Sequence, residues 1–468
     1  MPLLDEDYLF PADPQARRVA RALYEHIDGL PLISPHGHTQ AQWFADNEAF
    51  PDPAKLLVIP DHYVFRMLVS QGVRMEDLGV PSVDGSPVET DSEKIWQIFA
   101  DNYYLFAGTP TRLWLDHSFQ HLFGIDEPLN SDSAGRCFEH IARCLEQPEF
   151  RPRALYERFN LEVISTTEDP LDELKHHRQI RESDWNGRVI SAYRPDMVVD
   201  PDYEGFAHNL AALGELTQCD TRSWRGYLEA HRQRRVFFKA MGATSTDHGH
   251  PSARTADLND GEAERLFHDV VSGKASGEQK DLFRAQMLTE MAKMSIEDGL
   301  VMQLHPGSWR NHSHLVHKRF GRDKGFDIPT TTDYVGALKP LLDAVGHSPD
   351  LSLILFTLDE STYSRELAPL AGAYPALKLG PAWWFFDSAE GMKRYRQLTT
   401  ETAGFYNSVG FNDDTRAFPS IPARHDVARR VDCAYLAELV STHQLHMNEA
   451  EELAVELAYG LAKRAYRL

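Results

Sequence analysis

The chain has 468 residues, of which 42% are hydrophobic and 25% charged, a composition typical of a soluble globular protein with a large core. Its 70 acidic and 48 basic side chains give a formal net charge of −22, which argues against binding to nucleic acid or to anionic membranes. An anionic substrate would therefore need a local group of arginines or histidines. Four cysteines without metal-ligand spacing, no signal peptide and no apolar run long enough for a membrane span predict a cytoplasmic protein.

The predicted elements begin with an amphipathic helix over residues 14–28 and continue as short, apolar, β-rich runs separated by longer helical stretches. These runs are residues 30–36, 161–167, 188–194, 235–242, 300–305, 351–357, 377–381 and 408–414. Near-continuous apolar strands that alternate with helices are typical of a parallel sheet covered on both faces. Eight such runs predict an α/β fold, a (β/α)8 barrel, with a doubly wound open sheet as the alternative.

A long segment, residues 37–160, separates the first two runs and carries helical patterns such as DSEKIWQIFADNYYLF. It predicts a large helical insertion after strand 1, placed over the barrel mouth. The chain would then divide into an N-terminal helix with the first barrel strand (1–36), the helical insertion (37–160), and the remainder of the barrel with the C-terminal helices (161–468).

Polar side chains follow several of the predicted strands, at the end of the barrel where active sites lie. The ends in question are His36-Gly37-His38 after run 1, Arg194 after run 3, His305 after run 5 and Asp413-Asp414 after run 8. Alternate residues of an extended segment point to the same side, so His36 and His38 can act together. Three histidines and one carboxylate suit a divalent transition metal; unrelated polar strand ends are the plainer alternative.

The same arrangement resembles the amidohydrolase superfamily, which has a His-x-His after strand 1, a His after strand 5 and an Asp after strand 8. Within that superfamily, several stretches resemble the uronate isomerase (glucuronate isomerase) family in order along the chain: DHYVFRMLVSQGV (61–73), STTEDPLDELKHH (165–177), YRPD (193–196), TDHG (246–249), MQLHPGSWRN (302–311), AWWF (382–385), DTRAF (414–418) and RHDVARR (424–430). The resemblance implies a (β/α)8 barrel of amidohydrolase type. It also implies the interconversion of D-glucuronate with D-fructuronate, and of D-galacturonate with D-tagaturonate.

Site residues follow from the resemblance and from the demands of aldose–ketose isomerisation, which needs proton transfer between C2 and C1 and an anchor for the carboxylate. Asp61 is predicted to cap a helix whose N-terminus presents His62, Tyr63 and Arg66 on one face. Arginines are candidates to grip the carboxylate with two hydrogen bonds. The expected catalytic residues are Asp414, Tyr63 and His62; the expected substrate-binding residues are Arg194, Arg310, Arg416, Trp383, Asp247 and Arg66; the expected metal ligands are His36, His38, His305 and Asp414.

Most members of the superfamily that the chain resembles bind a second metal ion through a carboxylated lysine on strand 4 and a histidine on strand 6. Here run 6 offers no histidine and Lys239 lies in mid-run, so one divalent ion is expected. Zn²⁺ suits three histidines and an aspartate, although Mn²⁺, Fe²⁺ and Co²⁺ also fit, and proton transfer alone could isomerise the sugar without metal. Asp414 is preferred to Asp413 because its spacing to Arg416 matches the family. Which of Asp414, Tyr63 and His62 takes the C2 proton stays open, as does the preference between glucuronate and galacturonate.

The expected partner is a small hexuronate, and the chain is expected to form a homo-oligomer without binding nucleic acid or membrane. Two other functions are open: a mononuclear metal-dependent amidohydrolase acting on a small carboxylate-bearing amide or ester, and an inactive binding protein. The additional histidines are expected to lie elsewhere. His312, His314 and His317 are assigned to a surface or mouth loop, and the pair His176-His177 to an exposed helix face.

Overall fold

The computed structural model describes residues 2–468 and contains a seven-stranded parallel sheet in the order β1-β2-β3-β4-β5-β8-β9. The nine strands of the chain are β1 Leu32–Ser34, β2 Leu161–Glu168, β3 Val189–Tyr193, β4 Ser245–His248, β5 Val301–Leu304, β6 Ser308–Trp309, β7 Ile328–Pro329, β8 Leu353–Leu355 and β9 Leu377–Leu379. Strands β6 and β7 form a separate antiparallel pair.

An eighth segment lies between the two edges of the seven-stranded sheet. Ser408 bridges Leu379 of β9, and Thr415 bridges Gly37 just beyond β1, both in parallel. Residues 408–415 therefore occupy the place of the eighth strand, although only single bridges form there. The predicted barrel fold is confirmed, although the eighth strand pairs with its two neighbours only through these single bridges.

Helices surround the sheet and make up most of the remaining chain. They are α1 Pro14–Ile27, α2 Ala41–Asp46, α3 Pro53–Leu57, α4 His62–Ser70, α5 Ser92–Asp101, α6 Pro110–His117, α7 Ala134–Leu145, α8 Pro152–Arg158, α9 Lys175–Glu182, α10 Asp196–Val199, α11 Phe206–Thr217, α12 Trp224–Ala240, α13 Asp260–Val271, α14 Gly277–Asp298, α15 His314–Phe320, α16 Val335–Val345, α17 Ala368–Ala373, α18 Ala389–Ala403, α19 Ile421–Ser441, α20 Met447–Val455 and α21 Leu461–Ala465. None of these helices combines the length and apolarity that crossing a membrane requires.

The predicted insertion forms helices α2 to α8 between β1 and β2. Its apolar side chains share one continuous core with Leu32, Leu161, Ile164 and Val189, so it packs against the side of the first three barrel strands. Its helix α4 extends to the barrel mouth. A second large core joins strands β5, β8 and β9 to helices α11 to α14 and α16 to α19. The three-part division of the chain at residues 36 and 160 stays a prediction.

The predicted strand at 235–242 is wrong, because these residues form the last turns of α12 and the bend after it. Ser223 caps that helix by accepting from the Gly226 amide, and no glycine or proline interrupts it after its first turn. A short apolar run cannot be assigned to helix or strand by periodicity alone. The true fourth strand, Ser245–His248, is polar throughout and fully buried, so an apolar criterion misses it.

Candidate active site at the barrel mouth

A cavity of about 690 Å³ opens at the C-terminal ends of the strands, where (β/α)8 barrels place their active sites. Its wall includes most of the predicted site residues, namely His36, His38, His62, Tyr63, Arg194, His305, Arg310, Trp383, Asp414 and Arg416. The remaining predicted residues, Arg66 and Asp247, lie behind this wall.

Gly37 permits the close approach that assembles the site. The carbonyl oxygen of Thr415 accepts from the His38 amide at 2.8 Å. A β-carbon on residue 37 would lie only 3.3 Å from the same oxygen, a contact tight enough to push the two segments apart. The glycine between the two histidines therefore lets the chain around Asp414 lie against the end of β1.

Asp414 lies between the two imidazoles. Its Oδ1 is 3.4 Å from His36 Nε2 and 3.3 Å from His38 Nε2, while its Oδ2 accepts from the Trp383 indole at 2.6 Å. The φ of Asp414 is +43°, in the left-handed region that aspartate adopts more readily than most residues. Asp413 is turned away, because its carboxylate accepts from His425 at 3.1 Å.

These three residues form a group that fits a divalent metal ion. Within residues 2–468 it is the one set of three histidine, cysteine or acidic residues whose ligand atoms lie within 4.8 Å of one another. Asp414 Oδ1 and the second ring nitrogen of His36 are buried and have no hydrogen-bond partner. Two imidazoles and a carboxylate are a suitable donor set for a transition metal, so the residues present fit the expected group.

His305 lies beside this group without joining it. Its ring centroid is 6.2 Å from that of His36, but its Nε2 lies 2.5 Å from Asp247 Oδ1. Its Nδ1 is buried and unpartnered. The imidazole therefore lies at the site with one nitrogen engaged by a buried carboxylate and the other free.

Buried charges control the protonation of the group. Burial alone would raise the pKa of Asp414, but the adjacent imidazoles of His36 and His38 hold it well below its usual range. Burial lowers the pKa of His38 to about 4. For His36, burial acts in the same direction, but the carboxylates of Asp247 and Asp414 outweigh it and raise the pKa.

The three predicted arginine clamps differ in their partners. Arg194 is paired with Asp196 at 2.8 Å and with Asp247 at 3.3 Å. Arg310 pairs with Asp327 at 3.1 Å and lies over the Trp384 ring. Arg416 has no carboxylate within ion-pairing distance in the described chain and is solvent-exposed at the cavity wall. Of the three, Arg416 is the guanidinium left available for an incoming anion.

Helix α4 brings two predicted proton-transfer groups to the cavity. Asp61 caps it as predicted, accepting from the Tyr63 amide at 2.8 Å. Burial lowers the pKa of His62 to about 3, and the positive charge of Arg416 acts in the same direction, so the imidazole is neutral. Burial raises the pKa of Tyr63 well above its usual range, so the phenol keeps its proton.

Three predicted residues occupy different positions from those expected. Arg66 points its guanidinium over the Phe385 ring at 5.0 Å, because it lies one turn beyond the N-terminus of α4 that faces the cavity. Asp247 is fully buried and holds His305 and Arg194, which leaves it behind the wall. The prediction that His177 is exposed is wrong, because its ring is buried and lies 2.9 Å from Thr166 Oγ1.

The histidine-rich segment contributes to the mouth through other side chains. Asn311, Arg322, Asp323 and Asp327 line the cavity, whereas the three histidines at 312, 314 and 317 lie outside its wall. Lys239 is exposed near the end of α12 and donates to the carbonyl oxygen of Asp298.

Sequence reasoning missed several wall residues, among them Glu168, Asp196, Asp323, Trp384 and Arg424. Glu168 was detectable, since it is the polar residue that ends β2 and the same criterion selected His36, Arg194 and His305. Arg424 begins the stretch RHDVARR that resembles the family, but no role was assigned to it there. Asp323 lies in a loop away from any predicted strand end, and for it the sequence carried no local signal.

Comparison with known proteins extends these observations. The glucuronate isomerase family model matches residues 1–466. A protein of Mesorhizobium japonicum named uronate isomerase is 68% identical over 466 residues, covering 100% of this chain and 99% of the relative. The crystal structure of glucuronate isomerase from Caulobacter crescentus superimposes with a TM-score of 0.98 at 58% identity, covering 100% of this chain and 98% of that one.

A more distant structure, a putative metal-dependent hydrolase from Lactobacillus casei, shares the fold with a TM-score of 0.52 at 16% identity, covering 95% of this chain and 97% of that one. The sheet and its mouth cavity place the chain in the class of (β/α)8-barrel proteins that carry their site at the C-terminal ends of the strands. Within that class, the family-model match over residues 1–466 and the 68% identity to a protein named uronate isomerase identify the family. The chain belongs to the glucuronate isomerase family.

Proposed function

We propose that this chain is a uronate isomerase, which interconverts D-glucuronate with D-fructuronate and D-galacturonate with D-tagaturonate. The observation that carries the proposal is the composition of the cavity wall. It combines an unpaired guanidinium, Arg416, with a carboxylate, a neutral imidazole and a protonated phenol. A sugar acid needs an anchor for its carboxylate, and isomerisation needs acid–base groups near C1 and C2.

In this proposal Arg416 binds the substrate carboxylate through two parallel hydrogen bonds. Trp383 offers an apolar ring face to the sugar and, through its indole N–H, orients Asp414. Arg194 is already engaged by Asp196 and Asp247, so its role is to hold the wall between β3 and β4 and to donate from the nitrogens that remain free.

The proton transfers are assigned to Asp414 and Tyr63, with His62 beside the tyrosine. A base takes the C2 proton, O2 loses its proton as the ketone forms, O1 gains one, and a proton is delivered to C1, so no redox partner is required. Asp414 is the base in this assignment, because the neighbouring His36 and His38 hold its pKa well below its usual range against the effect of burial and so keep it ionised. Tyr63 is protonated in the free protein; in this assignment it gives its proton to O1 and takes the proton that O2 loses, while Asp414 returns the C2 proton to C1.

His36, His38 and Asp414 would hold one divalent metal, with His305 as the fourth residue at the site. Zn²⁺ suits this donor set best, and Mn²⁺, Fe²⁺ and Co²⁺ are accommodated by the same ligands. When bound, such an ion polarises the sugar oxygens as a Lewis acid. The proton transfers assigned to the side chains do not themselves require it.

The experiment that tests the proposal is incubation of the protein with D-glucuronate in D₂O, followed by proton NMR. An isomerase exchanges the C2 hydrogen or forms the ketose. A hydrolase or a binding protein leaves both the C2–H signal and the aldose unchanged, and that outcome would rule out the proposed activity.

We further propose a cytoplasmic location and a homo-oligomeric assembly. The first is supported by four cysteines that are all free thiols and the second by exposed large apolar side chains such as Val83, Tyr104 and Leu315. Light scattering on the eluted peak of a size-exclusion column measures the assembly directly. A mass of a single chain at micromolar concentration would contradict it.

A further inference from the structure

Glu168 is the last residue of β2, and its carboxyl group lines the mouth cavity. In the sheet β2 lies between β1, which leads to His36 and His38, and β3, which leads to Arg194. Its side chain therefore lines the mouth between the strand end that leads to the predicted metal group and the strand end that leads to Arg194.

Neutral groups hold this carboxylate in place. Thr166 Oγ1 lies 2.7 and 2.8 Å from its two oxygens, and Ser191 on β3 donates a short hydrogen bond to it. Behind Thr166 lies His177, whose pKa is lowered to about 4 by burial, so that its ring is uncharged. Two carboxylate oxygens have about four acceptor positions, and the two hydroxyl groups use two of them.

No counter-ion accompanies Glu168. Throughout residues 2–468, the nearest basic nitrogen within 4 Å is His177 Nε2 at 3.8 Å. Burial, reinforced by the charges of Asp172 and Asp169, raises the pKa of Glu168 to about 7. A buried carboxylate that is not paired is costly, and a glutamine would accept the same two hydroxyl hydrogen bonds without that cost. The pairing of β2 with β3 does not depend on the Glu168 side chain, because four further residue pairs join the two strands.

We propose that Glu168 is a specificity-determining residue, whose free acceptor positions receive a hydrogen bond from a hydroxyl group of the sugar acid. The inference rests on the proposed function and extends it to the choice between epimeric hexuronates. The carboxylate is fixed at the end of a strand, so it accepts from a hydroxyl in one configuration only. The epimer directs that hydroxyl elsewhere and leaves the carboxylate unpaired, which is how a polar site rejects an isomer.

The test compares Glu168→Gln with the wild type on D-glucuronate and D-galacturonate, with kcat and KM measured for each. A hydrogen bond to a charged group predicts a loss of roughly 10- to 100-fold in kcat/KM on the epimer that the wild type prefers. The loss on the other epimer is smaller, so the ratio of the two kcat/KM values shifts by at least about fivefold.

Asp172→Asn is the matched control. It removes one negative charge from the segment that follows β2, at a residue that does not line the cavity, and it keeps an acceptor for the Leu174 amide. It should leave both values within about twofold. If Glu168→Gln does not fold, Ser191→Ala removes one donor and keeps the carboxylate, and it should shift the ratio in the same direction by less.

An epimer ratio that changes by less than about twofold in the folded variant, whatever the loss of overall rate, overturns the inference. That result differs from a failure of the proposed function, in which the wild type itself turns over neither uronate. Thermal melting of each variant separates a loss of folded protein from a change in specificity.

Discussion

Two histidine-bearing segments of this chain have opposite relations to the cavity. The His-Gly-His segment follows β1 and directs two imidazoles at Asp414, at 3.4 and 3.3 Å. The segment with His312, His314 and His317 has more histidines and lies at the same mouth, yet these rings are outside the wall and form no three-residue ligand group. A ligand group therefore depends on a fixed strand end and a facing carboxylate more than on the number of imidazoles.

The largest effect is expected at the carboxylate that the first segment faces. Asp414→Asn should lower kcat at least about a hundredfold, the usual worth of a positioned base. Asp413→Asn is the matched control, since Asp413 contacts His425 and Thr415 rather than the cavity. If C2–H exchange in D₂O persists at the wild-type rate in Asp414→Asn, the aspartate has no role as a base.

A similar loss is expected from the phenol of Tyr63, which helix α4 brings to the cavity. Tyr63→Phe should reduce kcat about a hundredfold with little change in folding, because Tyr63 forms no hydrogen bond through its hydroxyl within residues 2–468. Steady-state kinetics on glucuronate measure it. A change confined to KM would mean that the tyrosine binds substrate and that Asp414 or His62 transfers the proton.

The comparison of the two segments can be tested through metal content. His36→Ala and His38→Ala should each reduce the bound divalent metal from about one ion per chain to a small fraction, since each removes one of three ligands. The double variant His314→Ala/His317→Ala should keep the wild-type content. Elemental analysis after dialysis measures both, and equal metal losses in the two sets would refute the distinction.

The carboxylate anchor is expected to show a smaller effect. Arg416→Lys should lower kcat/KM at least about tenfold, because an ammonium cannot reproduce a two-point grip. Arg310→Lys should cost less, since Asp327 already engages that guanidinium. If Arg310→Lys proves the more damaging of the two, the anchor has been assigned to the wrong arginine.

The smallest effect is expected at the histidine-rich segment itself. Replacing His312, His314 and His317 together by alanine should change kcat/KM by less than about twofold, because surface substitutions away from packed or paired groups are usually near neutral. Activity on glucuronate at saturating metal is the measurement. A tenfold loss would show that these rings reach the substrate.

Apolar strands and their polar ends were readable from the sequence, because burial on both faces leaves a run of branched side chains and the mouth requires polar groups. That logic located His36, Arg194 and His305. It failed at β4, whose Ser245, Thr246, Asp247 and His248 are all buried. There the interior is stabilised by hydrogen bonds such as that between Asp247 and His305, and such long-range pairing leaves no trace in a local pattern.

The same reason explains why the positions of His177 and Arg66 differ from those predicted. His177 was expected outside because its neighbours are polar, but its partner Thr166 lies on a strand reached only in the fold. Arg66 shares the helical face of His62 in sequence, yet a single turn carries it to Phe385. In both cases the position of the side chain depends on a partner from another segment of the chain. The capping of α4 by Asp61 depends only on adjacent residues, and it was predicted.

The contact between Gly37 and Thr415 has a consequence for biosynthesis. One ligand pair comes from the first strand and its carboxylate from the segment that closes the barrel, so the group is incomplete until ribosomal synthesis has passed Asp414. A nascent chain emerges N-terminus first and carries two imidazoles without their aspartate for most of translation. Truncation anywhere before residue 414 would therefore remove the aspartate of the proposed metal group, and metal loading would report that synthesis has passed the segment that closes the barrel.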